Sequence, residues 1–308
     1  MDKRIVGRWQ LLTAALLFST GGAAIKACGL TGWQVAGFRS GVAAVVLFLL
    51  LPGARRRPSR GQLLVSCAYA ATLILYVLAN KLTTASNAIF LQSTAPLYVL
   101  VLSRVWLHES IRPRDLVFMA ALAVGMGLFF VGTEPPRDTA PDPFLGNILG
   151  ACAAVGWAFT VAGLRWLARH EAAAGGDADG LAVGATVWGN ALVFVACLPL
   201  ALPVEQSAPM DWVWIGYLGV FQIGIAYLFM TRSVRIVPAL EASLLLLVEP
   251  VLNTLWAWWF HGEVPGPWAR AGAAIILLAT LAHALRSSPA GRSREGPIEA
   301  EDRSESMP

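Results

Sequence analysis

The sequence predicts an all-α protein that crosses a membrane many times. Of its 308 residues, 56% are hydrophobic and only 14% are charged, whereas soluble domains carry about 25% charged residues. The hydrophobic residues form runs long enough for a helix to cross a bilayer, which takes about 20 residues. This composition excludes a disordered chain and a secreted disulfide scaffold, and it argues against an ordinary cytosolic enzyme.

Ten such runs are predicted as membrane-spanning helices. In chain order they are Trp9–Cys28, Gly32–Leu51, Gln62–Asn80, Thr84–Leu107, Leu116–Val131, Leu145–Leu167, Leu181–Leu202, Trp212–Met230, Ile236–Phe260 and Trp268–Leu285. The short links carry helix-breaking pairs such as Pro52-Gly53 and Arg112-Pro113. The first run is longer than the apolar region of a signal peptide, so we interpret it as a retained helix.

Two polar segments are expected to be irregular. The link Glu171–Gly180 is rich in Ala, Gly and Asp, and we expect a flexible loop there. Residues 287–308 are polar, and we expect a disordered tail.

Basic residues predict the orientation of the chain. With a cytoplasmic N-terminus, 18 of the 23 Lys and Arg residues fall on the cytoplasmic side, and Lys81, Arg137 and Arg270 fall outside. Cytoplasmic loops are enriched in Lys and Arg. We therefore expect a multi-pass protein of the inner (plasma) membrane with both termini cytoplasmic. The net charge of +4 does not indicate a nucleic-acid partner, because the basic residues form short clusters between apolar runs.

The chain contains an internal repeat. An offset of 154 residues aligns Pro96 with Pro250 and Glu109 with Glu263, and it also aligns Lys81-Leu82-Thr83-Thr84-Ala85 with Arg235-Ile236-Val237-Pro238-Ala239. An offset of 139 aligns Ala14-Ala15-x-x-Phe18-Ser19 with Ala153-Ala154-x-x-Trp157-Ala158. Each half has five spans, and because five is odd, the second half enters from the opposite face. This predicts two inverted five-helix repeats, residues 1–142 and 143–286, around one central site.

Several motifs resemble the EamA-type proteins of the drug/metabolite transporter (DMT) superfamily. They are Phe18-Ser19-Thr20-Gly21, Arg39, Ala95-Pro96, Leu107-His108-Glu109, Glu249-Pro250 and Glu263. The resemblance covers about residues 5–286. It implies ten helices in two inverted repeats, no ATPase module, and transport of small metabolites or amino-acid-like compounds, often outward.

Two ionisable residues lie deep within predicted spans, where a charge costs about 2.5–3.5 kcal/mol on insertion scales. Glu249, near the middle of span nine, is predicted to exchange the proton that drives transport; the alternative is permanent pairing with Arg39 or bonding to neighbouring helices. Arg39 is predicted to bind a substrate carboxylate, because a guanidinium forms bidentate pairs. Helix bracing remains an alternative for Arg39, since Gly37 and Gly41 flank it in a GxxxG pattern.

Uncharged side chains complete the predicted cavity. The other predicted substrate-binding residues are Tyr76, Gln92, Tyr98, Trp157, Gln222, Tyr227 and Asn253, each of which also suits interhelical hydrogen bonding or packing. Pro96 and Pro250 are predicted helix breaks, because proline lacks the N–H that continues a helix.

Other ionisable residues lie near span ends. Lys26 can snorkel to the outer interface, and Glu241 is a candidate for an inner vestibule. Glu109 and Glu263 are expected to brace turns, and His283 is expected at the interface.

The predicted function is a secondary transporter that exports a small amphipathic metabolite, such as an amino acid or a derivative, by alternating access with proton coupling. The alternatives are import of a vitamin-like or nucleoside-like solute, and a non-transporting scaffold or lipid-acting enzyme. The sequence lacks HExxH, GxSxG and Walker motifs, so we expect no enzymatic activity, no cofactor and no metal. The expected partners are a small-molecule substrate and the lipid bilayer, with monomer and homodimer both open.

Overall fold

The protein is described by a computed structural model that covers residues 3–51, 57–106, 108–132, 134–173, 178–233 and 236–286. These residues form a helical bundle, and the helices are α1 (Lys3–Ser19), α2 (Gly21–Ala27), α3 (Gly32–Leu50), α4 (Arg60–Leu82), α5 (Ala85–Gln92), α6 (Ala95–Trp106), α7 (Pro113–Val131), α8 (Pro143–Ala173), α9 (Ala178–Ala201), α10 (Pro209–Tyr217), α11 (Ala226–Ser233), α12 (Ala239–Leu246), α13 (Val248–His261) and α14 (Pro267–Arg286). A π-helix, Leu218–Ile225, joins α10 to α11.

Nine helical stretches in the described ranges are long and apolar enough to cross a membrane. The region predicted as the first span is not among them, and Thr20 divides it into α1 and α2. Leu11, Ala14 and Ala15 of α1 are nevertheless fully buried in the bundle. The count of ten membrane-spanning helices therefore stays a prediction, whereas the all-helical, many-span architecture is confirmed.

Hydroxyl side chains set the starts of several helices. Thr31 accepts a hydrogen bond from the backbone N–H of Gln34, and Ser59 accepts one from Gln62. Such caps satisfy the backbone donors that the first turn of a helix leaves free. They explain why the observed helices start within a few residues of the predicted spans.

The predicted loop Glu171–Gly180 is wrong at both ends. Helix α8 continues to Ala173, and α9 already begins at Ala178. Alanine is the strongest helix former, so an Ala-rich link extends the flanking helices. Some predicted features lie outside the described residues, namely residues 174–177 of the loop, the tail (residues 287–308), Leu107 of the quoted motifs and Arg235 of the repeat.

Helices of the two halves are interleaved. The helix α3 packs on α9, α4 on α8, and α7 on α14, so each of these pairs joins one half of the chain to the other. Gly37 and Gly41 of α3 abut Cys197 and Phe194 of α9 so closely that a Cβ on either glycine would meet them within 3 Å. The GxxxG pattern around Arg39 thus serves close helix packing.

Two helices are interrupted at positions that the 154-residue offset aligns. Ser93 and Thr94 separate α5 from α6, and Leu247 separates α12 from α13. Pro96 and Pro250 lie in the first turn of the helix after each break, where a missing N–H costs no helical hydrogen bond. Both breaks lie about halfway through the bundle, and they position the site described next.

The outer surface of the bundle is apolar. Leu64, Val117, Trp259 and Phe260 are among the large hydrophobic side chains that are more than two thirds exposed. Soluble proteins rarely expose such extensive apolar surface, so this surface matches the lipid environment that the composition predicts.

Candidate functional site

A cavity of about 520 Å³ lies in the middle of the bundle, and residues at both helix breaks line it. Its volume is within the range of small-molecule sites, about 300–1,000 Å³. Most of the predicted site residues line it, namely Arg39, Tyr76, Gln92, Trp157, Gln222, Tyr227, Glu249, Pro96 and Pro250. Residues from both halves of the chain therefore meet in one wall.

Arg39 is the largest fully buried side chain of the described residues, with 1% of its surface exposed. One guanidinium nitrogen, Nη1, donates to Oε1 of Gln222 at 3.4 Å, and Nε has no partner in the described part of the chain. None of the ion pairs formed by the described residues involves Arg39. A buried cation without a counter-ion is costly, and this one lines a cavity that an anion can enter.

Glu249 lies in the wall at the start of α13, and it is half-buried. The amino-terminal end of a helix carries a partial positive charge that favours a carboxylate there. Glu249 is absent from the ion pairs of the described residues. The permanent Arg39–Glu249 pair, which the sequence left open as an alternative, is thus not formed in this structure.

An aromatic wall faces these two charged groups. The rings of Tyr69 and Trp157 are 6.2 Å apart, those of Tyr69 and Tyr227 are 6.1 Å apart, and Phe18 meets Tyr227 edge to face at 5.2 Å. Tyr69 was not predicted as a site residue. The available signal was its position seven residues before Tyr76, because residues two turns apart share one face of a helix.

The π-helix brings Gln222 into the wall beside Arg39. Gly219 and Gly224 in this segment lie against Val42 and Val46 of α3, where a Cβ would approach within 3 Å. π-helical turns are rare and frequently occur at functional sites. Hydrophobic periodicity does not distinguish a π-turn from an α-turn, so the sequence analysis missed this feature.

Two predicted substrate-binding residues do not line the cavity. Tyr98 directs its hydroxyl to Sδ of Met126 at 3.4 Å, on α7. Asn253 is fully buried, and its Nδ2 donates to the hydroxyl of Tyr76 at 3.3 Å. Asn253 therefore lies behind a wall residue, although it follows Glu249 by one helical turn.

Ion pairs near the helix ends define the two faces of the bundle. Arg8, near the start of α1, binds Glu241 in the first turn of α12, and we call this side the N-face. Lys26, at the end of α2, binds Glu263 just after α13 at 2.9 Å, and we call this side the far face. Lys26 therefore does not snorkel, since its side chain is buried in an ion pair.

The other two predicted end residues lie outside the cavity as well. Glu109 binds Arg165 of α8 at 2.8 Å on the N-face. The ring of His283 stacks on Phe118 of α7 at 4.2 Å.

The exposure of the wall residues varies along the cavity. Wall residues near the N-face ends of their helices are exposed or half-buried, as for Ser243 of α12, Met230 of α11 and Thr280 of α14. Wall residues nearer the far face, Tyr76 and Ile89, are buried. The wall is thus more exposed at these N-face ends than at Tyr76 and Ile89, although Tyr69, which is nearer the N-face than Tyr76, is also buried.

Comparisons with known proteins agree with this architecture. The EamA-like transporter family matches residues 6–131 and 144–284. A Bacillus subtilis (strain 168) protein named "Uncharacterized transporter YetK" is 28% identical over 178 residues, which is 55% of this chain and 50% of that protein. The chain thus matches about half the length of this curated relative. A solved crystal structure of another protein has a TM-score of 0.60 at 20% identity, over 94% of this chain and 99% of the solved one.

Proposed function

We propose that this chain, which belongs to the EamA-like transporter family of the drug/metabolite transporter superfamily, is an exporter of a small amphipathic metabolite such as an amino acid or an amino-acid derivative. Its family makes it a multi-pass membrane transporter. Transport is driven by the proton gradient, and it follows an alternating-access cycle in which the central cavity faces each side of the membrane in turn.

The observation that carries the proposal is that Arg39, which is buried without a counter-ion among the described residues, lines the same cavity as Glu249. Arg39 binds the carboxylate of the substrate through two parallel hydrogen bonds. The wall of Phe18, Tyr69 and Tyr227 packs on its apolar part. Gln92 and Gln222 supply amide hydrogen bonds for its remaining polar groups.

Glu249 exchanges the coupling proton. Its carboxyl group lies in the cavity wall, where water and substrate reach it, and it has no ion-pair partner among the described residues. A carboxyl in such a place is protonated from one side of the membrane and deprotonated toward the other. Pro96 and Pro250 mark the helix breaks around which the two halves, residues 1–142 and 143–286, move.

The N-face is cytoplasmic, and the protein lies in the inner membrane. The excess of Lys and Arg in segments of this face supports that orientation. Exposed wall residues near that face, such as Ser243, support loading of substrate from the cytoplasm, which is the direction an exporter requires.

A two-step experiment tests the proposal. Metabolites that accumulate in the medium of an overexpressing strain and fall in a deletion strain identify the candidate substrates. Purified protein in proteoliposomes is then tested for counterflow of radiolabelled L-amino acids and of those candidates, one at a time. We expect exchange of at least one compound that carries a carboxylate and an apolar side chain. Exchange of none, or only of compounds without an anionic group, would contradict the proposal.

A further inference from the structure

Lys26 and Glu263 form a buried ion pair at the far face. Nζ of Lys26 lies 2.9 Å from Oε1 of Glu263, and the two side chains are only 3% and 2% exposed. The other carboxylate oxygen of Glu263 accepts the backbone N–H of Ala85, the first residue of α5, at 2.9 Å. Lys26 also donates to the backbone carbonyls of Thr83 and Thr139. This pair therefore ties α2, α5 and the end of α13 together at the far face.

A second ion pair lies at the N-face. Nη2 of Arg165 is 2.8 Å from Oε1 of Glu109, and Arg169 binds the same oxygen. The side chains of Arg165 and Glu109 are 44% and 33% exposed. This second pair is thus much more exposed than the pair at the far face.

The two ion pairs are related by the internal repeat. The offset of 139 residues that aligns the first helices of the two halves places Lys26 onto Arg165. The offset of 154 residues that aligns the broken helices places Glu109 onto Glu263. In each pair, the cation of one half binds the carboxylate of the other half, so both pairs bridge the two halves.

The backbone presents the two carboxylates in the same way. Glu109 follows His108, with φ of 52°, and Glu263 follows Gly262, with φ of 63°. The N–H of Glu109 donates to the carbonyl of Ser103, six residues back. The N–H of Glu263 donates to the equivalent carbonyl, that of Ala257. The left-handed residue and the turn are therefore the same in both halves.

The surroundings of the two pairs differ. At the far face, α5 packs against α13, and Glu263 holds the N-terminus of α5. The equivalent helices at the N-face, α12 and α6, do not form a packed pair within the described residues. Glu109 accepts hydrogen bonds from the side chains of Arg165 and Arg169. The same ion-pair arrangement thus occurs twice, once buried against packed helices at the far face and once exposed at the N-face.

We propose that Lys26–Glu263 and Arg165–Glu109 are the two gates of the transport cycle. They close in alternation, and this inference rests on the proposed alternating-access function. When the halves exchange conformations, Arg165–Glu109 becomes buried, and Glu109 takes up the backbone N–H of Ala239, the equivalent of Ala85. Lys26–Glu263 then becomes exposed and releases α5.

Cysteine accessibility tests this proposal in the full-length protein in cells. Ser93 lines the middle of the cavity, and Ser93→Cys is nearly isosteric. The reporter is placed in a background in which the exposed Cys67 and Cys152 are replaced by alanine. A membrane-impermeant, positively charged methanethiosulfonate reagent is applied to the far face, and the labelling rate is measured.

Glu263→Gln and its repeat equivalent Glu109→Gln form a matched pair. Glu263→Gln weakens the far-face gate, so we expect the labelling rate from the far face to rise by about tenfold. This rise corresponds to an about tenfold larger population of the conformation in which the far-face gate is open. Glu109→Gln weakens the other gate, so we expect labelling from the far face to fall.

Two results would overturn the assignment of the gates. One is that both Gln variants, monodisperse after purification, leave labelling unchanged. The other is that both variants shift it in the same direction, which is the result that a purely structural role predicts. The reporter protein without gate substitutions tests the proposed alternating-access function separately. Labelling of Ser93→Cys from both faces requires alternating access, whether or not these ion pairs are the gates.

Discussion

The two helix breaks lie at equivalent positions of the repeat and differ in chemistry. In the break between α5 and α6, Gln92 and Ala95 occupy the positions that Leu246 and Glu249 occupy in the break between α12 and α13. The first break thus presents an amide to the cavity, and the second presents a carboxyl group. The repeat preserves the interruption, whereas the side chains at the two breaks differ. We infer that the first break serves substrate recognition and the second serves proton coupling.

Arg39 belongs to neither break, and its loss is expected to have the largest effect. Among the described residues that line the cavity, Arg39 and Glu249 carry the formal charges. Arg39→Ala should lower the rate of substrate counterflow by on the order of 100-fold, because a buried charged hydrogen bond contributes up to about 3 kcal/mol. Counterflow of the substrate identified in the screen provides the measurement.

Two further arginine variants serve as controls for that loss. Arg39→Lys keeps the charge without the bidentate geometry, and we expect an intermediate rate. Arg137→Ala removes an arginine outside the cavity wall and should leave the rate unchanged. If Arg39→Ala exchanges substrate at the wild-type rate, Arg39 braces helices and does not bind substrate.

Glu249→Gln should separate exchange from coupling. Glutamine keeps the size and a hydrogen-bonding group but cannot release a proton. We expect counterflow to continue, and we expect accumulation against a substrate gradient, driven by an imposed pH gradient, to be lost. If accumulation still follows the pH gradient in this variant, another group carries the proton.

Gln92→Leu copies the residue of the second break, Leu246, into the first. Removing one amide hydrogen bond to the substrate is expected to raise the KM about tenfold, which corresponds to roughly 1.4 kcal/mol. The response to the pH gradient should persist, in contrast to Glu249→Gln. Loss of that response would show that the two breaks do not divide recognition from coupling.

The smallest effect is expected at the ends of α6 and α13. His108 and Gly262 both have positive φ, and glycine adopts this conformation without a steric penalty. His108→Gly should therefore raise the free energy of unfolding by about 1 kcal/mol, and Gly262→Ala should lower it by about the same amount. A Cβ at Gly262 meets no atom within 4 Å, so packing does not mask the backbone effect. Thermal unfolding midpoints in detergent, shifted in opposite directions, provide the check.

Hydrophobic run length and the offset of 154 residues predicted most of this architecture from the sequence. They located the helices within a few residues and aligned Pro96 with Pro250. This succeeded because long apolar segments and prolines determine the helical structure of their own stretch of chain. Charge in an apolar span likewise singled out Arg39 and Glu249, since a bilayer penalises it.

Features that depend on tertiary contacts could not be predicted from the sequence. The break at Thr20 and the π-helix around Gln222 do not change the spacing of apolar residues. Tyr98 and Asn253 have suitable side chains, but they point to Met126 and Tyr76. The partner of Lys26 lies 237 positions further along the chain, at Glu263, and only the folded bundle brings the two together.

Proton flux tests the division between the two breaks most directly. Proteoliposomes that enclose a pH-sensitive dye receive the identified substrate, and the internal pH is followed without an imposed gradient. We predict substrate-dependent proton movement for the wild-type protein and for Gln92→Leu at saturating substrate, and none for Glu249→Gln. Proton movement that persists in Glu249→Gln, or that disappears in Gln92→Leu under those conditions, would contradict the account.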